Sequence, residues 1–168
     1  MTSFECKEHV IYKMKGVCRI DCLKDIKLDG KTRTYYLLRP LADPKEEILV
    51  PIDSEVLLAQ MHRTLTREEM LLAFEECASL PDLEWIPEMR PRGEHFKGLL
   101  LLPDRVTRLR LVRTLHTQRS ELLAKGKRLC VSDAAVLERA EELIASEIAH
   151  VFDESKEAAR SRLHAMLK

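Results

Sequence analysis

Glycine is scarce in this 168-residue chain, five in all, and no glycine-rich segment could wrap a phosphate. Nucleotide-binding loops of that kind are thereby excluded. Aromatic residues make up only 5% of the chain and tryptophan occurs once, so any stacking role falls on very few positions. No apolar run approaches the roughly 18 residues that a membrane span requires, and no membrane partner is expected. The opening residues, Met1-Thr2-Ser3-Phe4-Glu5-Cys6-Lys7-Glu8, hold two acids and no apolar core. They do not read as a signal peptide, and a cytoplasmic location is expected.

Catalytic constellations are missing too. Six histidines are scattered at 9, 62, 95, 116, 150 and 164. Glu147-x-x-His150 has the spacing of a carboxylate-bridged metal motif, but the second copy that such a site needs is not in the sequence. The pair is expected on the solvent side of a helix. No serine or cysteine lies in a nucleophile signature. Glu68-Glu69 and Glu141-Glu142 are adjacent on expected helices and point apart. Five cysteines (Cys6, Cys18, Cys22, Cys77, Cys130) without an export signal are expected as reduced thiols. Cys18 and Cys22 would share one face of a strand. With Cys6 and His9 they could complete a zinc site on paper, but such sites use tighter pairs, and small buried apolar residues are the default. No metal, no cofactor, no small-molecule substrate and no enzymatic activity are expected. A thiol- or metal-dependent enzyme built on Cys18, Cys22 and His9 is the remaining option from that class, and metal analysis would test it.

What is present is unevenly distributed. Net charge is zero, from 28 basic and 28 acidic residues. By segment, residues 1–53 carry +1, 54–84 carry −5, 85–130 carry +7 and 131–168 carry −3. A basic block thus lies between acidic flanks, the electrostatic footprint of phosphate binding. It could also fold back on its acidic neighbours. The block begins at Trp85, in Pro81-Asp82-Leu83-Glu84-Trp85-Ile86-Pro87-Glu88-Met89-Arg90-Pro91-Arg92. Prolines at this density interrupt helix and strand, which puts the ring at an element boundary beside positive charge. A flat wedge with guanidinium neighbours suits unstacked bases; a plug between two substructures is the plainer use of the ring.

Val10-Ile11-Tyr12, Val17–Leu23, Thr34–Leu38 and Ile48–Ile52 have strand character, separated by Lys15-Gly16, Asp29-Gly30 and Asp43-Pro44 turn signals. Four short strands with tight turns predict a small, open, antiparallel barrel. From residue 54 the period turns helical. Thr66-Arg67-Glu68-Glu69 is a capping box, with Met70, Leu71 and Phe74 as the apolar face behind it. Asp104 caps a long helix to about Lys125 with Val106, Leu109, Val112 and Leu115 inward, and Gly126 ends it. Ser132 is expected to cap the next helix, with Leu137, Ala140, Ile144 and Ile148 on one face. Ser155 opens a last helix with Ala159, Leu163 and Met166 inward. Arg92–Leu102 has weaker helical character because of Gly93 and Gly98. An α+β chain follows, a small β-barrel and then an all-α bundle, divided as 1–62 and 63–168.

This order of parts resembles the CarD family of bacterial transcription regulators. Val10-Ile11-Tyr12-Lys13-Met14-Lys15-Gly16-Val17 is similar to the family's opening segment, Tyr35–Leu38 and Leu49–Asp53 to its third and fourth strands, Glu84-Trp85-Ile86-Pro87 to its tryptophan loop, and Gly126–Leu129 with Ser132-Asp133 to the turn between the later helices. The chain departs from the pattern at Lys13, Lys15, Cys18 and Leu49, and it has Ala134 and Ala135 where a basic residue is common. The resemblance implies an N-terminal Tudor/SH3-like β-barrel that binds the RNA polymerase β subunit, with contacts at Tyr12, Tyr36, Leu38, Leu49 and Val50. It also implies a helical domain that meets promoter DNA, independently of sequence, at the upstream fork junction. Trp85 would be the wedge, with Arg90, Arg92, Lys97 and Arg128 on phosphates. About four such contacts give a log–log salt slope near −3.6. An adaptor that binds polymerase without engaging DNA is the alternative.

Overall fold

The computed structural model describes residues 3–168. They form two compact units, divided between Thr64 and Leu65.

The first unit is a five-stranded antiparallel sheet: β1 His9–Tyr12, β2 Val17–Leu28, β3 Lys31–Pro40, β4 Ile48–Pro51 and β5 Met61–Arg63, in the order β4-β3-β2-β1-β5. Strands β2 and β3 make a long hairpin closed by Asp29-Gly30. Both turn residues have positive φ, +51° and +76°, the conformation that lets a two-residue turn follow the right-handed twist of its strands. The bulge between Ile20 and Cys22 shifts the register there. Below it Cys18 and Ile20 point into the core, and above it Cys22 and Leu23 are exposed.

The sheet is not closed into a barrel. Strands β4 and β5 are the two edges of an open sheet. Between them in sequence, Ser54 caps a single helical turn, α1 Glu55–Leu58, its Oγ accepting from the Leu57 amide at 3.4 Å. Leu57 and Leu58 pack with Ile48 against the buried cluster of Phe4, Val10, Tyr12, Cys18, Ile20, Tyr36, Leu38, Val50 and Met61. The core is thus covered by a helical turn on one side instead of by a sheet curled upon itself.

The second unit is helical: α2 Arg67–Ser79, α3 Met89–Leu101, α4 Arg105–Ala124, α5 Val131–Phe152 and α6 Lys156–Met166. Thr66 and Glu69 form the full reciprocal capping box. Asp104 caps α4 through the Val106 amide and Ser155 caps α6 through the Ala158 amide. Gly126, with φ +71°, ends α4. Leu109, Val112 and Leu115 of α4, Leu137, Ala140, Ile144 and Ile148 of α5, and Ala159 and Leu163 of α6 are all buried, and α5 packs against both α4 and α6.

Several expectations are corrected. Helix α5 starts one residue after Cys130, so Ser132 lies inside its first turn. Leu71 faces solvent, and Ala73 and Cys77 complete the buried face of α2. Pro91 does not break the chain. It is the third residue of α3, where no intrahelical partner awaits its missing N–H. Glu147 is not on a solvent face but buried, accepting from Arg105 at 3.0 Å and from the Leu65 amide at 3.3 Å. Among the described residues no helix is long and apolar enough to cross a membrane.

Candidate functional site

The segment between α2 and α3, residues 80–88, carries Trp85 and has no regular structure of its own. Its backbone oxygens must find donors elsewhere, and arginines supply them. Arg113 of α4 donates to the Cys77 carbonyl at 2.6 Å, to the Leu80 carbonyl at 2.7 Å and to Asp82 at 2.6 Å. Arg110, one turn earlier, donates to the Pro81 carbonyl at 3.0 Å. The Thr114 hydroxyl accepts from the Leu83 amide at 2.9 Å.

Arg92 fixes the other end. Its Nη1 donates to the carbonyls of Ile86 at 2.9 Å and Pro87 at 3.0 Å. Its Nε donates to Oδ1 of Asp133 on α5 at 3.3 Å and its Nη2 donates to Oδ2 at 2.7 Å, a bidentate fork. Only 5% of Arg92 and 1% of Asp133 is exposed. Hydrogen bonding to Asp133 holds the guanidinium pKa above its ordinary value against the opposing effect of burial. The same guanidinium lies 4.3 Å from the centre of the Trp85 ring, within cation–π range, and Phe96 packs beside that ring at 5.8 Å. Trp85 itself is half-buried. It is gripped on one side and not sealed within the bundle.

The predicted DNA-contacting residues therefore separate. Arg90 and Lys97 stand seven positions apart on α3, hence on one helical face, and both are exposed. Among the described residues Arg90 pairs with its exposed neighbour Glu94, at 3.5 Å. Arg128 is exposed on the turn before α5. Arg92 points the opposite way. Its donors are spent inside the fold, so it anchors the tryptophan loop instead of meeting a phosphate.

The same division runs through the whole basic block. Arg105 and Arg108 also turn inward. Arg105 binds Glu147; Arg108 donates to the Leu100 carbonyl at 3.3 Å, and burial pushes its pKa down. Lys125 and Lys127 join Arg90, Lys97 and Arg128 at the surface. The excess of positive charge is thus part scaffold and part outward-facing.

In the sheet unit, Tyr12, Tyr36, Leu38 and Val50 are core residues. Side chains with so little exposed surface shape the sheet but cannot themselves offer a contact to a partner. Of the five predicted polymerase contacts, Leu49 alone is exposed, at 38%, on edge strand β4. Ile52 just beyond it is exposed as well. Cys18 and Cys22 do not share a face. Desolvation pushes the buried Cys18 thiol up to about 12, while Cys22 faces water, so the bulge takes apart the thiol pair that strict alternation would have made.

Residues 4–63 match the family model described as the CarD-like/TRCF RID domain. No curated protein matches the chain. The CarD-like family is one of transcription factors, which are typically not enzymes. The open sheet of the first unit is therefore a CarD-like RNA polymerase-interacting domain, and its presence implies binding to the polymerase β subunit.

Proposed function

We propose that the chain is a polymerase-bound regulator that stabilises the promoter open complex through sequence-independent contacts at the upstream fork junction. The half-buried Trp85 ring, braced by Arg92 and Phe96 beside the outward Arg90 and Lys97, carries this reading. A ring fixed on one side is a rigid platform for an unpaired base, and such stacking contributes on the order of 1–3 kcal/mol. Present only when the strands are apart, one contact shifts the open–closed equilibrium about tenfold.

Arg90, Lys97 and Arg128 supply the phosphate contacts. With Arg92 turned inward, about three charges remain, giving a salt slope near −2.7 on duplex DNA. Binding to DNA alone is then weak at cellular salt, and attachment to polymerase through the sheet unit raises the local concentration. Edge strand β4, with Leu49 and Ile52 exposed beside its unpaired backbone, suits strand addition by the polymerase β subunit. The protein acts in the cytoplasm, where transcription takes place.

The alternative adaptor would bind polymerase and turn the same basic face toward an acidic protein. Open-complex lifetime decides between them. Trp85→Ala should keep polymerase binding and lose the stabilisation; a variant as active as the parent refutes the wedge. A salt titration on forked and fully paired DNA, with polymerase present, should show fork preference for the regulator and none for the adaptor.

A further inference from the structure

Helices α4, α5 and α6 bring together three groups that take no part in the tryptophan loop. His116 of α4 sets its Nε2 against Oε1 of Glu141 on α5, and His164 of α6 sets its Nε2 3.2 Å from the same oxygen. The ligand atoms of all three lie within 4.8 Å of one another. The imidazoles meet edge to face with centroids 5.0 Å apart. A cleft lined by both histidines, Arg119, Ser120, Glu121 and Lys168 opens beside them.

A carboxylate oxygen can accept from two imidazoles, so the trio is satisfied as a hydrogen-bonded group. It is also two nitrogens and one oxygen converging from three helices, the donor set of a zinc-type site that keeps a fourth position open. Metal–ligand bonds of about 2.0–2.2 Å in a tetrahedron put ligand atoms about 3.3 Å apart, close to the His164–Glu141 spacing. Imidazole favours transition metals over magnesium or calcium. We propose that His116, Glu141 and His164 bind one divalent transition-metal ion of the zinc, cobalt and nickel class, with its open position toward the cleft.

Binding requires neutral imidazoles that offer Nε2, with their protons on Nδ1. The Nδ1 of His116 faces the Arg119 guanidinium at 2.7 Å. Arg119 must swing away as that nitrogen takes the proton, and its exposed position allows it. Of the other charges on the cleft, Arg113 is committed to Asp82 and two carbonyls, and Glu121 and Lys168 are of opposite sign. Arg119 is thus the cation that opposes the metal. This sets the site apart from a purely hydrogen-bonded trio, for which Arg119 is a supporting partner.

The test is a titration of the full chain with cobalt(II), followed by displacement with zinc. A single equivalent should bind with visible d–d absorption and no thiolate charge-transfer band, and the thermal midpoint should rise with metal concentration. Loss of an outer-shell partner alone weakens metal sites by about 10–100-fold. His164→Ala, at a half-exposed side chain, should therefore weaken binding by more than about tenfold and remove the thermal shift. Arg119→Gln should tighten binding. Absence of the cobalt spectrum, a thiolate band, parental affinity in His164→Ala, or weaker binding in Arg119→Gln would each overturn the site.

Discussion

Arg92→Ala removes the centre of the tryptophan loop's support, and the cost can be worked from its contacts. Asp133 is left with a buried negative charge and only the Cys130 thiol, at 3.1 Å, to donate to it. The carbonyls of Ile86 and Pro87 lose their shared donor, and the Trp85 ring loses the cation beneath it. Removing one partner of a buried ion pair costs about 3–5 kcal/mol, against a total stability of about 5–15 kcal/mol for a domain. With a urea slope of about 1–3 kcal/mol per molar, the unfolding midpoint should fall by about 2 M. Trp85 is the only tryptophan, so its fluorescence follows both the midpoint and the loop. Native emission should move to the red as the ring meets water. Arg92→Lys keeps the charge but not the fork, and should fall between. The double variant Arg92→Met with Asp133→Leu should recover much of the loss, because an apolar pair of similar size replaces a buried ion pair at little cost. An Arg92→Ala protein within about 0.5 kcal/mol of the parent, with unshifted emission, would show that this guanidinium does not hold the loop.

Three further outcomes follow from other contacts. A Cβ on Gly93 would meet the Ser132 hydroxyl at 3.0 Å, so Gly93→Ala should destabilise by about 1–3 kcal/mol. In a Ser132→Ala background the same change should instead stabilise by up to about 1 kcal/mol, the helical preference of alanine over glycine; equal effects in both backgrounds would rule out the clash. Maleimide at pH 8 should label the exposed Cys6 and Cys22 quickly, Cys130 slowly, and the buried Cys18 and Cys77 only on unfolding, both thiols being pushed up by desolvation. Burial alone would raise the Asp21 pKa, but the guanidiniums of Arg19 and Arg39 overcome it and hold the value down. A lowered folded pKa contributes stability above the unfolded value of about 3.9 and loses it as pH falls through the folded one. Asp21→Asn should therefore destabilise at neutral pH and matter less at pH 3, measured by denaturant midpoints; an equal loss at both would remove the ionic explanation.

Features decided by a few neighbouring residues were legible in the sequence. The caps at Thr66, Asp104 and Ser155 and the stop at Gly126 each follow from one side chain or one positive φ, and they fall where the residues predict. What depends on distant partners was not. The three residues of β5 are too few to show alternation, and pairing with β1 alone makes them a strand. Strict alternation placed Cys18 and Cys22 together; the bulge undid that. A charge count treats all arginines alike and could not tell that Arg92 turns inward. One signal was available: Arg92, Phe96 and Leu100 recur at four-residue steps, the buried face of a helix, hidden by taking Pro91 as a break. His116, Glu141 and His164 are separated by 25 and 23 residues, a spacing with no local pattern to read.

The inward arginines bear on the proposed function through entropy. A free loop that stacked on a base would first have to be ordered, at about 1–2 kcal/mol per residue of backbone. For a handful of residues that cancels the 1–3 kcal/mol which one stacked ring returns. Here Arg92, Arg110 and Arg113 hold the carbonyls of Leu80, Pro81, Ile86 and Pro87, so the ordering is done when the chain folds. The guanidinium lost to phosphate binding at Arg92 makes the wedge rigid, leaving Arg90 and Lys97 for attraction. On this account the two kinds of arginine separate by measurement. Neutralising Arg90 should lower affinity for forked DNA and the salt slope together without moving the urea midpoint. Neutralising Arg92 should lower the midpoint and open-complex lifetime while leaving the salt slope unchanged.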